Sequence, residues 1–385
     1  MPTLRWYTFD ERSGAFAQAA QDCGAEIGVR VELALLPADA DQQREQLVRR
    51  LAAGDRTIDV IAMDVIWTAE FARAGWILPW RGEVAARARE GRLTATVDSA
   101  TYAGGLWAAP FTTNAQLLWY RTDRVPAPPA TWDEMIDRAE SLGPGGRIQA
   151  QGERYEGLTV FFTSLLASAG GAVLSPDGEA VQLEPGPARR ALGVLARLAT
   201  SSAADPALST SREDQARLAF EAGHSAFMIN YSFVWASAQR NAPEVAAHMG
   251  WARWPAVEPG ERSRVTVGGV NLGIGAHSRH PELAFRVAAC IASERQQRLA
   301  AERAGLPPSI EALYDAPTVR AAMPFADLLR DTLRDAVQRP QTPVYYDVSL
   351  AISRTLHPLH AIEPARDAER LRELLGRALR SEGLF

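Results

Sequence analysis

No lysine occurs in the 385 residues: all 41 basic side chains are arginine. Such uniformity reads as the codon bias of a GC-rich genome rather than as arginine chosen for its fork geometry. With 46 acidic residues the net charge is −5, so a nucleic-acid duplex or an anionic membrane would meet no favourable field, and no long basic block offers a local one. Long hydrophobic runs are missing too. Nothing approaches the roughly 18 apolar residues that span a bilayer, and "MPTLRWYTF" lacks the charged start and apolar core of a signal peptide. Cysteine is reduced to Cys23 and Cys290, each inside an apparent helix, with no C-x-x-C and no Cys/His spacing for zinc. Spacing alone leaves open a buried free pair or a disulfide.

What is present is a large apolar fraction, 47%, in a chain long enough for two or three domains at roughly 100–200 residues each. The first 80 residues alternate strand and helix: "LRWYTF", a helix through "SGAFAQAAQDCG", "VRVELALL", a helix through "DQQREQLVRRLAAG", then "IDVIAM" and "WTAEFARAG". That βαβαβα order predicts a parallel sheet covered by helices. Loops at the carboxyl ends of such strands meet in a crevice, the expected ligand site. In "IDVIAMDVIWTAEFARAGWILPW" (58–80), Asp64 ends the third strand and Trp67 follows. Asp64 reads either as the cap of the next helix or as an acceptor for two vicinal hydroxyls, and Trp67 as a core residue or a ligand-facing one.

Further on, "LWAAPFTTNAQLLWYRTD" (106–123) carries Thr112 and Asn114 between two extended runs, before a helix opened by the capping box Thr131-x-x-Glu134. The stretch to about residue 262 reads as mostly helical, with a hairpin at "LSPDGEAVQL" turned by Asp177-Gly178. "INYSFVW" places Tyr231 and Phe233 after a strand and at a helix start, "VTVGGVNLGIG" is a strand containing Gly268, Gly269, Val270 and Asn271, and "VQRPQTPVYY" holds Arg339 on a stiff loop. Catalytic signatures are absent: no G-x-S-x-G, no P-loop, no H-E-x-x-H, and glycines in "GGVNLGIG" at the wrong spacing for a dinucleotide. His277-x-x-His280 and His357-x-x-His360 lack an acid to complete a metal site, so neither cofactor nor metal is expected. Aromatic rings beside acids, amides and an arginine suit sugars, whose C–H faces stack while their hydroxyls demand fixed partners.

Taken in order, these stretches resemble the solute-binding proteins of ABC sugar importers, in the trehalose/maltose-binding branch. The 59–80 segment is similar to that branch's D-V-x-x-x-D-V-x-W-x-x-x-F-x-x-x-G-W-x-x-P pattern, and the resemblance continues through the segments around Asn114, Tyr231, Gly268-Gly269 and Arg339. The first, the double-glycine and the arginine segments come nearest to mycobacterial trehalose-recycling lipoproteins. The resemblance implies an α/β, two-lobed periplasmic-binding-protein fold (type II-like), with lobe 1 over 1–110 and 268–310, lobe 2 over 111–267 and 311–385, and a hinge near 108–114 and 264–270. Carried over by position, Asp64, Asn114 and Arg339 would hold hydroxyls, Thr112 would line the cleft, and Tyr231 and Phe233 would stack on the sugar. Gly269 would offer backbone, with Val270 and Asn271 beside it, and Glu11 sits loosely where some members bring an acid. The sequence departs from the family at Tyr231, often Trp, at Val270, often aromatic, and at Ile229, often charged, which bears on which disaccharide is taken.

The implied function is a non-enzymatic, monomeric receptor outside the cytoplasm, lipid-anchored in its native form and with its export signal absent from this chain. It would bind trehalose first, maltose or sucrose next, and deliver the sugar to an importer permease. An oxidising compartment, with both cysteine helices in the first lobe, also implies a Cys23–Cys290 bond. A glycoside hydrolase with two cleft carboxylates and a glycerophosphodiester receptor are the alternatives.

Overall fold

The computed structural model describes residues 1–37 and 39–383. Contacts divide the chain into two compact units: unit 1 is Met1–Asn114 with Val267–Arg334, and unit 2 is Ala115–Thr266 with Asp335–Phe385. The chain therefore passes between units three times.

The strands along the chain are β1 (Thr3–Thr8), β2 (Arg30–Leu35), β3 (Val60–Asp64), a small ribbon of β4 (Thr101–Tyr102) and β5 (Gly105–Leu106), and β6 (Ala109–Asn114). There follow β7 (Leu117–Arg121), β8 (Arg147–Gln149), β9 (Ser225–Asn230), β10 (Met249–Ala252) and β11 (Gly268–Ile274). Unit 1 is built on a sheet of order β2-β1-β3-β11-β6. In it β1 pairs parallel with β2 and β3, while β11 runs antiparallel to β3 and β6. The carboxyl ends of β1, β3 and β6 thus fall on one edge. Strand β3 is buried at every position until Asp64, the pattern of a strand covered on both faces. The helix Ala15–Ile27 fills the crossover from β1 to β2 and ends on Gly28 in the left-handed region, at φ 79°, where glycine alone carries no Cβ penalty. Its Phe16 packs on Trp6, ring centroids 5.0 Å apart, in the unit's core. A disulfide, Cys23–Cys290, with Cα atoms 5.7 Å apart, ties this helix to the helix Pro281–Ile291 of the same unit.

Unit 2 has a sheet of order β10-β7-β9-β8, with β7 antiparallel to its neighbours β9 and β10, and β8 parallel to β9. Its central helix Glu156–Ser168 is buried at every position except Ala167, as expected of a helix that is apolar all round. It packs against the helices Pro185–Thr200 and Tyr345–Leu356. The helix Trp132–Ser141 opens as its sequence predicts. Thr131 Oγ1 accepts from Glu134 N at 3.2 Å, and Glu134 Oε2 accepts from Ala130 N at 2.6 Å.

Two expectations are corrected. Residues 311–334, assigned by sequence to the second lobe, belong to unit 1. Their helices Pro317–Ala322 and Ala326–Arg334 pack on unit 1 helices Glu294–Ala304 and Thr94–Ser99, and Tyr314 is fully buried with its hydroxyl donating to Pro308 O at 3.0 Å. An amphipathic helix shows that it has a core-facing stripe, not which core it faces. The hairpin expected at Asp177-Gly178 contracts to a turn closed by a single bridge, Leu174 to Val181.

Candidate functional site

Backbone pairing gathers the polar residues of unit 1. Asp64 stands opposite Val270, and Val270 opposite Thr112; one step further Gly269 faces Thr113 and Gly268 faces Asn114. The three strands thereby bring Asp64 to the carboxyl edge of the sheet with Thr112 and Asn114, 48 and 50 residues further along the chain. Asp64 is partly buried, and its Oδ1 accepts from Ile66 N at 3.2 Å, capping the short turn Val65–Trp67. Asn114 Oδ1 is buried without a protein partner, an unmet acceptor of the kind that a ligand hydroxyl or a water satisfies. It rests on Gly268, where a Cβ would stand 2.1 Å from it. Gly269 has φ +131°, and a Cβ there would meet Thr112 O at 2.3 Å, so the second glycine is required by both conformation and close approach. Thr113 Oγ1 donates to Gly268 O at 3.1 Å and fixes this contact.

Three expected site residues of unit 1 are engaged elsewhere. Trp67 is 3% exposed and stacks on Phe71, ring centroids 5.8 Å apart; it is a plug of the core rather than a wall. Asn271 is buried and its Nδ2 donates to Ser99 Oγ at 3.1 Å, because alternation along β11, with a bulge after Val270, turns it inward. Glu11 lies at the carboxyl edge after β1, but its carboxylate accepts backbone N–H groups of Ser13, Ala15 and Phe16 at 2.5, 2.9 and 3.4 Å. It serves the first helix as an N-terminal anchor.

At the end of β9 in unit 2, Tyr231 and Phe233 are partly buried, and Phe233 begins the helix Phe233–Asn241. Asn230 locks this turn, its Oδ1 accepting from Tyr231 N at 2.9 Å and its Nδ2 donating to Glu213 O at 2.9 Å. Arg339 is neither an exposed arginine nor an uncommitted fork. It is 6% exposed, and its Nη1 donates to Glu156 Oε1 at 2.7 Å. Tyr345 Oη donates to the same oxygen at 2.5 Å, and Ser349 Oγ donates to Glu156 Oε2. A carboxylate carried inside at the first turn of an apolar helix needs such partners.

Sequence reasoning passed over several of these groups. Glu156 is an acid opening an otherwise apolar helix, a visible signal of a buried charge needing a cation. Gln116 and Gln151 join at 2.7 Å, and Gln151 Nε2 donates to Ile229 O at 2.9 Å, at the same edge of the unit 2 sheet. Tyr155, with the Arg212 guanidinium 4.7 Å over its ring, and Glu213 complete this neighbourhood. No local pattern marks them. Among the described residues no group of three His, Cys, Asp or Glu could hold a metal ion, and no helix is long and apolar enough to cross a membrane.

A family model described as bacterial extracellular solute-binding protein matches residues 13–298. A Deinococcus radiodurans protein described as a probable ABC transporter-binding protein is 31% identical over 367 residues, covering 91% of this chain and 85% of the relative. A mannitol-binding protein of Pseudomonas aeruginosa is 25% identical over 307 residues, 76% of this chain and 70% of its own. Among solved structures, T. maritima MalE3 with maltose bound is similar with a TM-score of 0.89 at 27% identity, covering 98% of this chain and 99% of that one.

Proposed function

Because the chain belongs to the family of bacterial extracellular solute-binding proteins, we propose that it captures an α-linked disaccharide and delivers it to the permease of an ABC importer. Trehalose is the first choice of ligand, maltose or sucrose the next. Its two α/β units are those of the periplasmic-binding-protein fold, and as a member of this family it performs no chemistry on what it binds. A hydrolase reading is therefore set aside.

The observation that carries the proposal is the ladder Asp64–Val270–Thr112 with Asn114 at its end. Its residues bring a carboxylate, a hydroxyl and a buried amide oxygen without a protein partner within two register steps of one another, at the sheet edge where ligands of open α/β folds bind. Vicinal hydroxyls require such closely spaced acceptors. Within unit 2, Tyr231 and Phe233 carry ring faces after β9, and Arg339, oriented by Glu156, carries a guanidinium. Maltose in MalE3 is consistent with a sugar of this size. Tyr231 in place of Trp, and Val270 in place of an aromatic, reduce the stacking surface and favour a compact disaccharide over a longer chain.

A ligand that binds one conformation of the protein better than others shifts the population toward it, and that differential affinity is what brings forward the form a permease recognises. The native protein acts as a monomer held at the outer face of the membrane by a lipid anchor. Calorimetric titration with trehalose, maltose, sucrose, mannitol and glycerophosphocholine tests the ligand. Saturable binding of one disaccharide, tighter than that of mannitol, is expected. Binding of mannitol or glycerophosphocholine alone would overturn the disaccharide assignment, as would silence toward all three sugars at millimolar concentration.

A further inference from the structure

Strand β6 stands at one end of the sheet order in unit 1, so one of its edges is outermost. Such an edge invites further pairing. The segment 307–310, which follows the helix Glu294–Ala304, lies along it. Thr113 N donates to Pro307 O at 2.8 Å, Ser309 N donates to Phe111 O at 3.3 Å, and Thr112 stands antiparallel to Pro308. Pro307 and Pro308, both buried, have no N–H to offer a further strand. The segment is a strap that finishes the sheet.

A side chain holds this strap in place. Gln297, fully buried, accepts at Oε1 from Ser309 N at 2.8 Å and Ile310 N at 3.2 Å, while its Nε2 donates to Ala292 O at 2.8 Å. Ser309 Oγ, equally buried, is 3.1 Å from both Gln297 Oε1 and Pro110 O, so its single proton is shared between the clamp and β6. Arg92 reaches the same carbonyl, Nε donating to Pro110 O at 3.2 Å, and joins it to Ala292 O through Nη2 at 2.8 Å.

The grip falls on residues 110–113, directly before Asn114. Thr113 is held on both sides, its N–H by Pro307 O and its Oγ1 by Gly268 O at 3.1 Å. Its chain neighbours are Thr112 and Asn114, the hydroxyl and the unmet amide oxygen of the ladder. Groups that receive a ligand work only when held within about 0.5 Å of the required geometry, and residues behind them supply that rigidity. A brace serving the core alone has no reason to concentrate at this end of the strand.

We infer that Gln297 and Ser309 are positioning residues for the sugar site of unit 1, fixing through the strap the stretch of β6 that carries Thr112 and Asn114. The inference rests on the sugar-receptor reading and adds to it two residues that act on the ligand only through the backbone of β6.

The test is calorimetric titration of the tightest-binding sugar of the panel into the wild-type protein, Gln297→Met and Ser309→Ala, with hydrogen exchange at Thr113 followed by NMR. Gln297→Met keeps the side-chain length and removes the amide bonds; Ser309→Ala is the milder change should the first fold poorly. In both, the Thr113 N–H is expected to exchange faster and sugar to bind about fivefold or more weakly. Beside Asn114→Ala the effect of Gln297→Met on affinity should shrink, because it acts through the placement of that residue. Trp67→Ala, which loosens the core of the same unit against Phe71, should lower the melting temperature without a comparable loss of affinity. Wild-type affinity in both variants, unaltered exchange at Thr113, or an undiminished effect beside Asn114→Ala overturns this inference and leaves the receptor reading standing. A wild-type protein that binds no sugar of the panel removes the receptor reading and this inference with it.

Discussion

Arg339 and Glu156, 183 residues apart in sequence, form an ion pair with Nη1 and Oε1 2.7 Å apart and side chains only 5% and 10% exposed. The pair holds the loop before the helix Tyr345–Leu356 against the first turn of the buried helix of unit 2. Removing one partner leaves the other charged in a site with little water, at a cost of about 3–5 kcal/mol. Arg339→Ala and Glu156→Ala should each lower the unfolding free energy of unit 2, measured in urea, by that order, and the double variant should cost less than the sum. A Glu156→Ala protein as stable as wild type would show that the pair is not a support of the loop.

The Cys23–Cys290 bond closes a separation of 267 residues within unit 1. Cross-links of this kind contribute about 2–5 kcal/mol, chiefly by restricting the unfolded chain. Intact mass before and after thiol alkylation should show the unreduced protein two hydrogens lighter and unalkylated. A Cys23→Ala/Cys290→Ala double variant should unfold at lower denaturant in unit 1, while the midpoint of unit 2 stays put. Because two units unfold, each transition is to be followed by a local probe rather than by a single midpoint.

Gly268 and Gly269 separate two roles that look alike in sequence. A Cβ at Gly269 would lie 2.3 Å from Thr112 O in a backbone with φ +131°, so Gly269→Ala should cost on the order of 1–3 kcal/mol or more through strain. A Cβ at Gly268 meets only the end of the Asn114 side chain, at 2.1 Å from Oδ1, and that amide can rotate. Gly268→Ala should therefore keep the fold and weaken sugar binding, by displacing Asn114. Paired measurements of melting temperature and affinity distinguish the two.

The edge bearing Asp64 was legible because a run of buried residues ends abruptly in an acid, and a βαβαβα order fixes which end of the strand matters. Asn114 and Gly268 were legible as residues, but their juxtaposition is a matter of register between β6 and β11, which no local signal sets. Glu156 and Arg339 stayed hidden as a pair for the same reason that they are far apart in sequence. Trp67 and Asn271 show the converse. Both lie next to site residues along the chain, yet strand alternation and a one-turn helix carry their side chains into the core.

Two carboxyls should shape the pH dependence of stability with opposite signs. Hydrogen bonds from Gln18 and Gln296, with Arg295 close by, hold Asp22 below its ordinary value of 3.8. Its contribution is therefore present above that pH and lost as pH falls through the lower folded value. Burial raises Glu213 above its ordinary 4.5. There the native state keeps the proton more strongly than the unfolded chain, so its ionisation subtracts stability as pH rises from 4.5 through the folded value. Melting curves from about pH 3 to about pH 8 should show Asp22→Asn losing stability relative to wild type only toward the higher pH values. Glu213→Gln should gain on wild type over that same direction. A pH-independent difference for either variant would contradict the assignment.

Asp64 both caps the turn Val65–Trp67, through Oδ1 and Ile66 N at 3.2 Å, and stands in the ladder with Val270 and Thr112. Asparagine caps a helical turn about as well as aspartate, so Asp64→Asn retains the local role and removes the charge. If the carboxylate receives sugar hydroxyls, the loss of charge-assisted bonds, each worth about 1.5–3 kcal/mol, should weaken binding roughly 10- to 100-fold at an unchanged melting temperature. Trp67→Ala should do the reverse, since the indole fills the core against Phe71: about 3–5 kcal/mol of stability lost, and near-normal affinity in the fraction that remains folded. Equal affinity for wild type and Asp64→Asn would reduce Asp64 to its cap and move the ligand away from this edge of the sheet.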